Sequence, residues 1–123
     1  MQTTKEKRQH SRLLITNADQ VECHLLTPDQ LIISHFCVVS DISVQGLYII
    51  TDCNLQRDMD LLLDLKIAGE SFYPLPVTVM RTDDCDDERY GAVLQFQQHH
   101  DGLQKVIDLM AAFRKLDAAQ FAA

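Results

Sequence analysis

What this 123-residue sequence lacks limits what it can be. It contains no tryptophan, and its few glycines form no loop of the kind that cradles phosphate groups. Its longest apolar stretches, residues 61–63 and 31–33, are far too short to cross a bilayer. Residues 1–12 are polar and charged with no apolar region after them, so we expect no secretory signal and no membrane insertion. The length suits a single domain.

The cysteines are few and widely separated. No Cys-x-x-Cys pair occurs among the four, Cys23, Cys37, Cys53 and Cys85. With no export signal expected, this spacing indicates four reduced thiols in a cytoplasmic protein.

Two groups of residues could suggest a metal site. Cys23 and His24 precede His35 and Cys37, but the first two point to opposite strand faces and the zinc-knuckle spacing is missing. The acidic run at residues 83–88 lacks the glycine and the alternating oxygen ligands of a calcium-binding EF-hand loop. We therefore predict no metal.

The formal net charge of −7 is distributed unevenly. Residues 1–12 contain four cationic side chains and one glutamate, a balance of +3, which leaves −10 for the rest of the chain. Broad nucleic-acid binding requires a basic face across the fold, so this distribution argues against it. A small anion captured locally by the basic tail remains open.

Hydrophobic residues after position 13 recur mostly with a period of two, which predicts strands. Pro74 and Pro76 cannot donate to a ladder, so the first half of their strand should lie at an edge or be irregular. Turns are expected at 27–30 and 41–46. The six predicted strands cover residues 21–26, 31–40, 47–51, 59–67, 72–81 and 91–97.

The period changes near the end of the chain. Apolar residues then follow helical spacing, and Asp101 with Gln104 resembles a capping box with Asp101 as the cap. The helical stripe consists of Leu103, Val106, Ile107, Met110 and Phe113. The pattern predicts a mainly β fold, a small six-stranded antiparallel split barrel with a C-terminal helix covering an opening. We expect a flexible tail at 1–12, the domain at 13–118 and a frayed end at 119–123.

Two short motifs stand about thirty residues apart. The first is Arg8-x-x-x-Arg12, and the second is Asp41-x-Ser43-x-x-Gly46. The first alone is weak, whereas average residue usage gives the second in only about a few per cent of chains of this length. Their ordered co-occurrence indicates a shared function.

Together the motifs resemble the signature of the PilZ domain family, the bacterial receptor module for cyclic di-GMP. Residues 91–96 also resemble the family's late strand, in which glycine and an apolar residue precede a phenylalanine, so the resemblance runs from about residue 7 to 116. It implies that Arg8 and Arg12 contact the ligand and that Asp41 and Ser43 line its pocket. Lys7 occupies a position that the family links to ligand stoichiometry, and is a secondary candidate.

These residue types suit that ligand. A guanidinium can grip guanine N7 and O6, bind a phosphate or stack on a purine. Asp41 offers acceptors for the N1–H and N2–H₂ donors of guanine. Because Asp41 and Ser43 are two apart, both should point to one face, with Ile42 in the core. Gly46 is interpreted as a position that needs positive φ or close approach of the ligand.

The sequence therefore predicts a non-catalytic, cytoplasmic receptor for cyclic di-GMP. It has no convincing nucleophile beside a base, so no enzyme is predicted. The resemblance implies that an unidentified effector protein receives the signal, in control of motility or surface attachment (biofilm), with the receptor a monomer or weak homodimer. The alternative is a PilZ-like interaction adaptor that binds no nucleotide. A small barrel binding single-stranded nucleic acid should show surface aromatic residues among basic ones. This chain has no tryptophan, and the part after residue 12 is acidic.

Overall fold

Seven antiparallel strands and a C-terminal helix make up most of the computed structural model, which describes the backbone of residues 12–122 and the side chains of residues 12–115. A single 3-10 turn at Asn17–Asp19 follows the first strand. The strands are β1 (Leu13–Leu14), β2 (Glu22–Leu26), β3 (Cys37–Ile42), β4 (Gly46–Thr51), β5 (Asp60–Ile67), β6 (Glu70–Asp84) and β7 (Tyr90–Phe96), and the helix α1 is Asp101–Ala122.

All seven strands belong to one antiparallel sheet with the order β1-β3-β4-β7-β6-β5-β2. The sheet curls until β2, at one end, approaches β3 near the other. No ladder hydrogen bonds join β2 to β3, so the barrel is split along this line, which we call the seam. The predicted mainly β split barrel with a C-terminal helix is confirmed. The six predicted strands correspond to β2 through β7, and the two-residue β1 was not predicted.

The period-two pattern places one face of each long strand in a shared core. On β5, Leu61, Leu63, Leu65 and Ile67 are buried, and the residues between them are at least partly exposed. Helix α1 adds Leu103, Val106 and Ile107 to the same core, as its stripe predicts. The last predicted member of the stripe is different, because Phe113 is 62% exposed.

The strand predicted at residues 31–40 is wrong over its first half. Strand β3 begins at Cys37 and continues through residue 42, two residues into the predicted turn. In the segment before β3, backbone amides donate to a side chain instead of to a neighbouring strand. The Asp52 carboxylate accepts hydrogen bonds from the amides of His35 and Phe36, at 3.2 Å each. Those amides are therefore not available to a strand partner.

The prolines occupy the part of β6 where sequence predicts an edge or irregularity, and this is confirmed. Strand pairing of β6 with β7 starts only at Val77, and the preceding residues pair with β5. On the other side, the Pro76 carbonyl accepts a hydrogen bond from the Gln97 amide, just after β7. The register with β5 also shifts between Leu63 and Leu65, opposite this half. Proline has no amide N–H to donate. Its absence costs little stability in a strand segment that lacks a ladder partner on one side and whose register shifts on the other.

The predicted cap of helix α1 is wrong by one residue. The imidazole Nδ1 of His100, not the carboxylate of Asp101, accepts the Leu103 amide at 3.2 Å. The His100 carbonyl also accepts the first intrahelical hydrogen bond, from Gln104. The helical backbone extends to Ala122. No helix in the described part of the chain combines the length and the apolar character needed to cross a membrane.

Candidate ligand-binding site

The two-residue strand β1 brings the first motif beside the second. Leu13 pairs with Ile42 and Leu14 pairs with Asp41, so the preceding residue, Arg12, lies next to Ser43. Leu13 is buried in the core and fixes this register, because a slip of one residue would expose it. Lys7 and Arg8 lie outside the described residues, and their roles stay predictions.

Arg12 and Asp41 form an ion pair across this junction. Arg12 Nη1 lies 2.9 Å from Asp41 Oδ1. The Asp41 side chain is only 15% exposed, whereas that of Arg12 is 62% exposed. A charge-assisted hydrogen bond is stronger than a neutral one. Within residues 12–115, the other guanidinium donors of Arg12 and the second carboxylate oxygen of Asp41 make no side-chain hydrogen bond. The pair therefore presents both a donor group and an acceptor at one point.

The rest of the second motif forms a tight turn between β3 and β4. The Ser43 amide donates to the Gly46 carbonyl at 2.8 Å, and the Ser43 hydroxyl accepts from the Gln45 amide at 3.2 Å. Ile42 is fully buried, and Asp41 and Ser43 flank it outside the core, as strand alternation predicts. The serine thus stabilises the turn that presents it.

Gly46 is required for a reason that the sequence did not indicate. Its φ is not positive, and the glycine with positive φ in the described residues is Gly69. A Cβ on Gly46 would instead overlap the carbonyl oxygen of Leu94 on the neighbouring strand β7. The glycine therefore allows β4 and β7 to approach closely at the motif turn. Of the two interpretations of Gly46, positive φ is wrong, and close approach of the ligand stays a prediction.

Replacing Gly46 by alanine is expected to destabilise the domain by about 1–3 kcal/mol, because backbone atoms must shift to admit the methyl group. Chemical denaturation measures this. Gly102→Ala is a matched control, since a Cβ there would meet its nearest neighbours at 3.4 Å or more. A Gly46→Ala variant as stable as Gly102→Ala would contradict the steric explanation.

A pocket of about 210 Å³ opens beside this turn, on the outer face of β4, β7 and β6. Arg12, Ser43 and Gly46 were predicted as site residues, whereas the apolar wall that Met80 and Val93 provide was not. Val93 could have been found as an outward position of β7, but Met80 lies at a register shift of β6 that periodicity does not reveal. The pocket is lined by Arg12, Ser43, Gln45, Gly46, Leu47, Met80, Val93, Leu94 and Gln95.

Tyr48 follows the pocket residue Leu47 on β4 and lies beside the apolar wall of the pocket. It pairs with Val93, and its hydroxyl donates to Asp83 Oδ2 at 3.0 Å. Burial raises the pKa of Tyr48, and the bond to the Asp83 carboxylate raises it further. The ring lies where a side chain on Gly91 would be, because a Cβ there would overlap the tyrosine hydroxyl. This explains the glycine that begins the late strand.

Helix α1 holds the chain that leads away from Arg12. Arg114 donates through Nη1 to the Leu14 carbonyl, and its Nη2 lies 2.6 Å from Asp19 Oδ2. Asp19 also accepts from the Thr16 amide at 2.7 Å. Burial raises the pKa of Asp19, but the bonds from Thr16 and Arg114 outweigh it and hold the pKa below its ordinary value of 3.8. The Arg114 guanidinium thus joins helix α1 to β1 and to the turn that follows it in sequence.

Arg114→Gln is expected to lower stability at neutral pH by about 1 kcal/mol, as for a partly exposed ion pair. The lowered pKa of Asp19 means that this contribution is complete above its ordinary value of 3.8 and is lost as the pH falls through the lowered pKa. Urea denaturation at pH 7 and at acid pH tests both statements. Lys105→Gln on the same helix is the control, since Lys105 makes no ion pair within residues 12–115. An equal loss at both pH values would contradict this role.

The described residues contain no group of three or more His, Cys, Asp or Glu side chains placed to hold a metal ion. Of the predicted site residues in the described range, Arg12, Ser43 and Gly46 line one pocket and Asp41 adjoins it through its ion pair with Arg12.

The chain was compared with protein families, with curated sequences and with solved structures. The profile of the PilZ domain matches residues 6–112. Curated protein sequences gave no significant match. Among solved structures, the K. pneumonia MrkH–c-di-GMP complex has a similar fold, with a TM-score of 0.67 and 20% sequence identity. The match covers 92% of this chain and 54% of the MrkH chain, so the chain spans about half of that protein. Since the profile covers most of its length, the chain belongs to the PilZ domain family.

Proposed function

We propose that this protein is a receptor for cyclic di-GMP. The observation that carries the proposal is the Arg12–Asp41 pair, 2.9 Å apart at the mouth of a pocket that Ser43 and Gly46 also line. Membership of the PilZ family supports it, and so does the likeness in fold to MrkH, whose structure was solved with c-di-GMP.

The pair suits a guanine-containing anion. In the proposed complex Arg12 keeps its bond to Asp41 and directs its other N–H groups to guanine N7 and O6 or to a phosphate. The second oxygen of Asp41 then accepts from the N1–H and N2–H₂ edge of a base. Met80 and Val93 offer an apolar surface for a purine face. Arg8, and secondarily Lys7, add charge against the two phosphates.

The charge distribution of the chain favours binding of a small anion at Arg8 and Arg12 over binding of anions in general. The chain beyond residue 12 carries −10, so polyanions are repelled by most of the surface. A compact dianion that contacts Arg8 and Arg12 avoids much of that repulsion. No binding of nucleic acid is part of the proposal.

The proposed role is non-catalytic and cytoplasmic. Ligand binding changes the surface presented to an unidentified effector protein, in control of motility or biofilm formation. Arg114 gives a physical connection for such a change, because it joins the segment after Arg12 to helix α1. We propose a monomer or weak homodimer as the functional form.

A thermal-shift titration tests the proposal. At about 100 times its Kd, a ligand of the folded state adds about 2.7 kcal/mol of stability. We therefore expect cyclic di-GMP to raise Tm by roughly 5–15 °C. Cyclic di-AMP and GTP are the controls, since one lacks guanine and the other lacks the second base. An unchanged Tm with all three would reject the receptor and favour the alternative, an interaction adaptor that binds no nucleotide.

A further inference from the structure

Two of the four thiols meet at the seam of the barrel, although they are fourteen residues apart in sequence. Cys23 lies on β2 and Cys37 is the first residue of β3, and their Sγ atoms are 3.0 Å apart. The two strands share no ladder hydrogen bonds. The sulfur contact is therefore a direct link between the two sides of the seam.

We propose that Cys23 and Cys37 are a redox-modification site, which a peroxide converts to a disulfide that closes the seam. The proposal is independent of cyclic di-GMP binding. It also changes the expectation from sequence, which was four reduced thiols.

The two thiols differ in their exposure to solvent, and this difference decides which sulfur is oxidised first. Cys23 is 4% exposed, while Cys37 is partly exposed. The hydrogen bond with Cys37 raises the pKa of Cys23 well above its ordinary value, and burial raises it further. Cys37 is therefore the sulfur that meets the peroxide, and Cys23 reacts second.

The chemistry balances with a peroxide as the oxidant. The Cys37 thiolate attacks one peroxide oxygen, the O–O bond breaks, and a sulfenic acid forms with release of hydroxide. The Cys23 sulfur then attacks the Cys37 sulfur, the S–S bond forms and the S–O bond breaks. The protons of the two thiols convert both hydroxides to water. Two thiols are oxidised and one hydrogen peroxide is reduced to two waters.

Neither remaining thiol has the same geometry. The Cys53 thiol donates to the Ile33 carbonyl at 3.2 Å, and burial raises its pKa. Cys85 is exposed in the turn between β6 and β7. A bond between Cys23 and Cys37 would enclose the irregular segment before β3, and cross-linking a loop of this length restricts the unfolded chain.

The test is oxidation of the full chain with a small excess of hydrogen peroxide, followed by non-reducing peptide mapping and thermal unfolding. We expect one cross-link, Cys23 to Cys37, and a Tm that rises by roughly 5–15 °C and falls again with a reductant. Cys53→Ser and Cys85→Ser should retain both results. In Cys23→Ser the cross-link should be lost, and a dione reagent should trap the sulfenic acid on Cys37.

Several results would overturn the proposal. These are a main cross-link through Cys53, a main cross-link between Cys85 residues of two chains, and full retention of free Cys23 and Cys37 in the folded, oxidised chain. If Cys23→Ser fails to fold, the peptide map of the Cys53→Ser and Cys85→Ser variants still decides which sulfurs are joined.

Discussion

Arg12→Ala is expected to weaken binding of cyclic di-GMP by about ten- to 150-fold, the equivalent of one charge-assisted hydrogen bond worth about 1.5–3 kcal/mol. The same change should alter folding stability by no more than about 1 kcal/mol, because its ion pair is largely open to solvent on the arginine side. Titration calorimetry measures the affinity and urea denaturation measures the stability. The two readouts separate a ligand contact from a structural one.

Arg57→Ala is the matched control for this prediction. Arg57 is exposed, lies in the connection after β4 and so at the opposite end of that strand from Gly46, and makes no ion pair within residues 12–115. It should leave the affinity unchanged apart from the loss of one distant charge. Near-native affinity in Arg12→Ala, or an equal loss in both variants, would contradict the proposed contact.

Asp41→Ala extends the same experiment to a double-mutant cycle. Because Asp41 bonds Arg12 and is proposed to bond the ligand, the effects of the two substitutions should not add. Additive losses would mean that the two side chains act on the ligand independently.

Leu13→Ala is expected to have the largest effect on folding, a loss of about 2–4 kcal/mol, as for other buried leucines. Leu13 is 6% exposed and is part of the core cluster. Its neighbour Leu14 pairs in the same strand but is 66% exposed, so Leu14→Ala is the control and should change stability by less than about 0.5 kcal/mol. Chemical denaturation distinguishes the two.

The same pair of variants tests how Arg12 is positioned. If burial of Leu13 fixes the register of β1, Leu13→Ala should also lower the affinity for cyclic di-GMP at temperatures where the variant remains folded. Leu14→Ala should retain the affinity. Equal affinities in the two variants would mean that β1 does not position the arginine.

Sequence reasoning was strongest where alternation reflects burial. The pattern of β5 predicted its inward residues because a fully buried face tolerates only apolar side chains. It failed where side chains replace backbone partners, as at Asp52, whose carboxylate binds the amides before β3. It also missed β1, since two residues are too few to show any period.

The motifs were found by type and spacing, but their geometry depends on long-range contacts. Nothing near Gly46 in sequence shows that Leu94 approaches it. The link from Arg114 to Leu14 joins positions one hundred residues apart. Met80 enters the pocket only because β6 shifts register there. Each of these features follows from tertiary packing, which residue spacing alone does not specify.

The most direct test of the central claim is a titration of the isotopically labelled chain with cyclic di-GMP, followed by amide NMR. The account predicts that the resonances of Arg12, Asp41 and Ser43 shift and saturate together, while those of β5, on the far side of β6 from β7, stay in place. Unchanged resonances at all three positions under saturating ligand, or shifts confined to another surface, would contradict it.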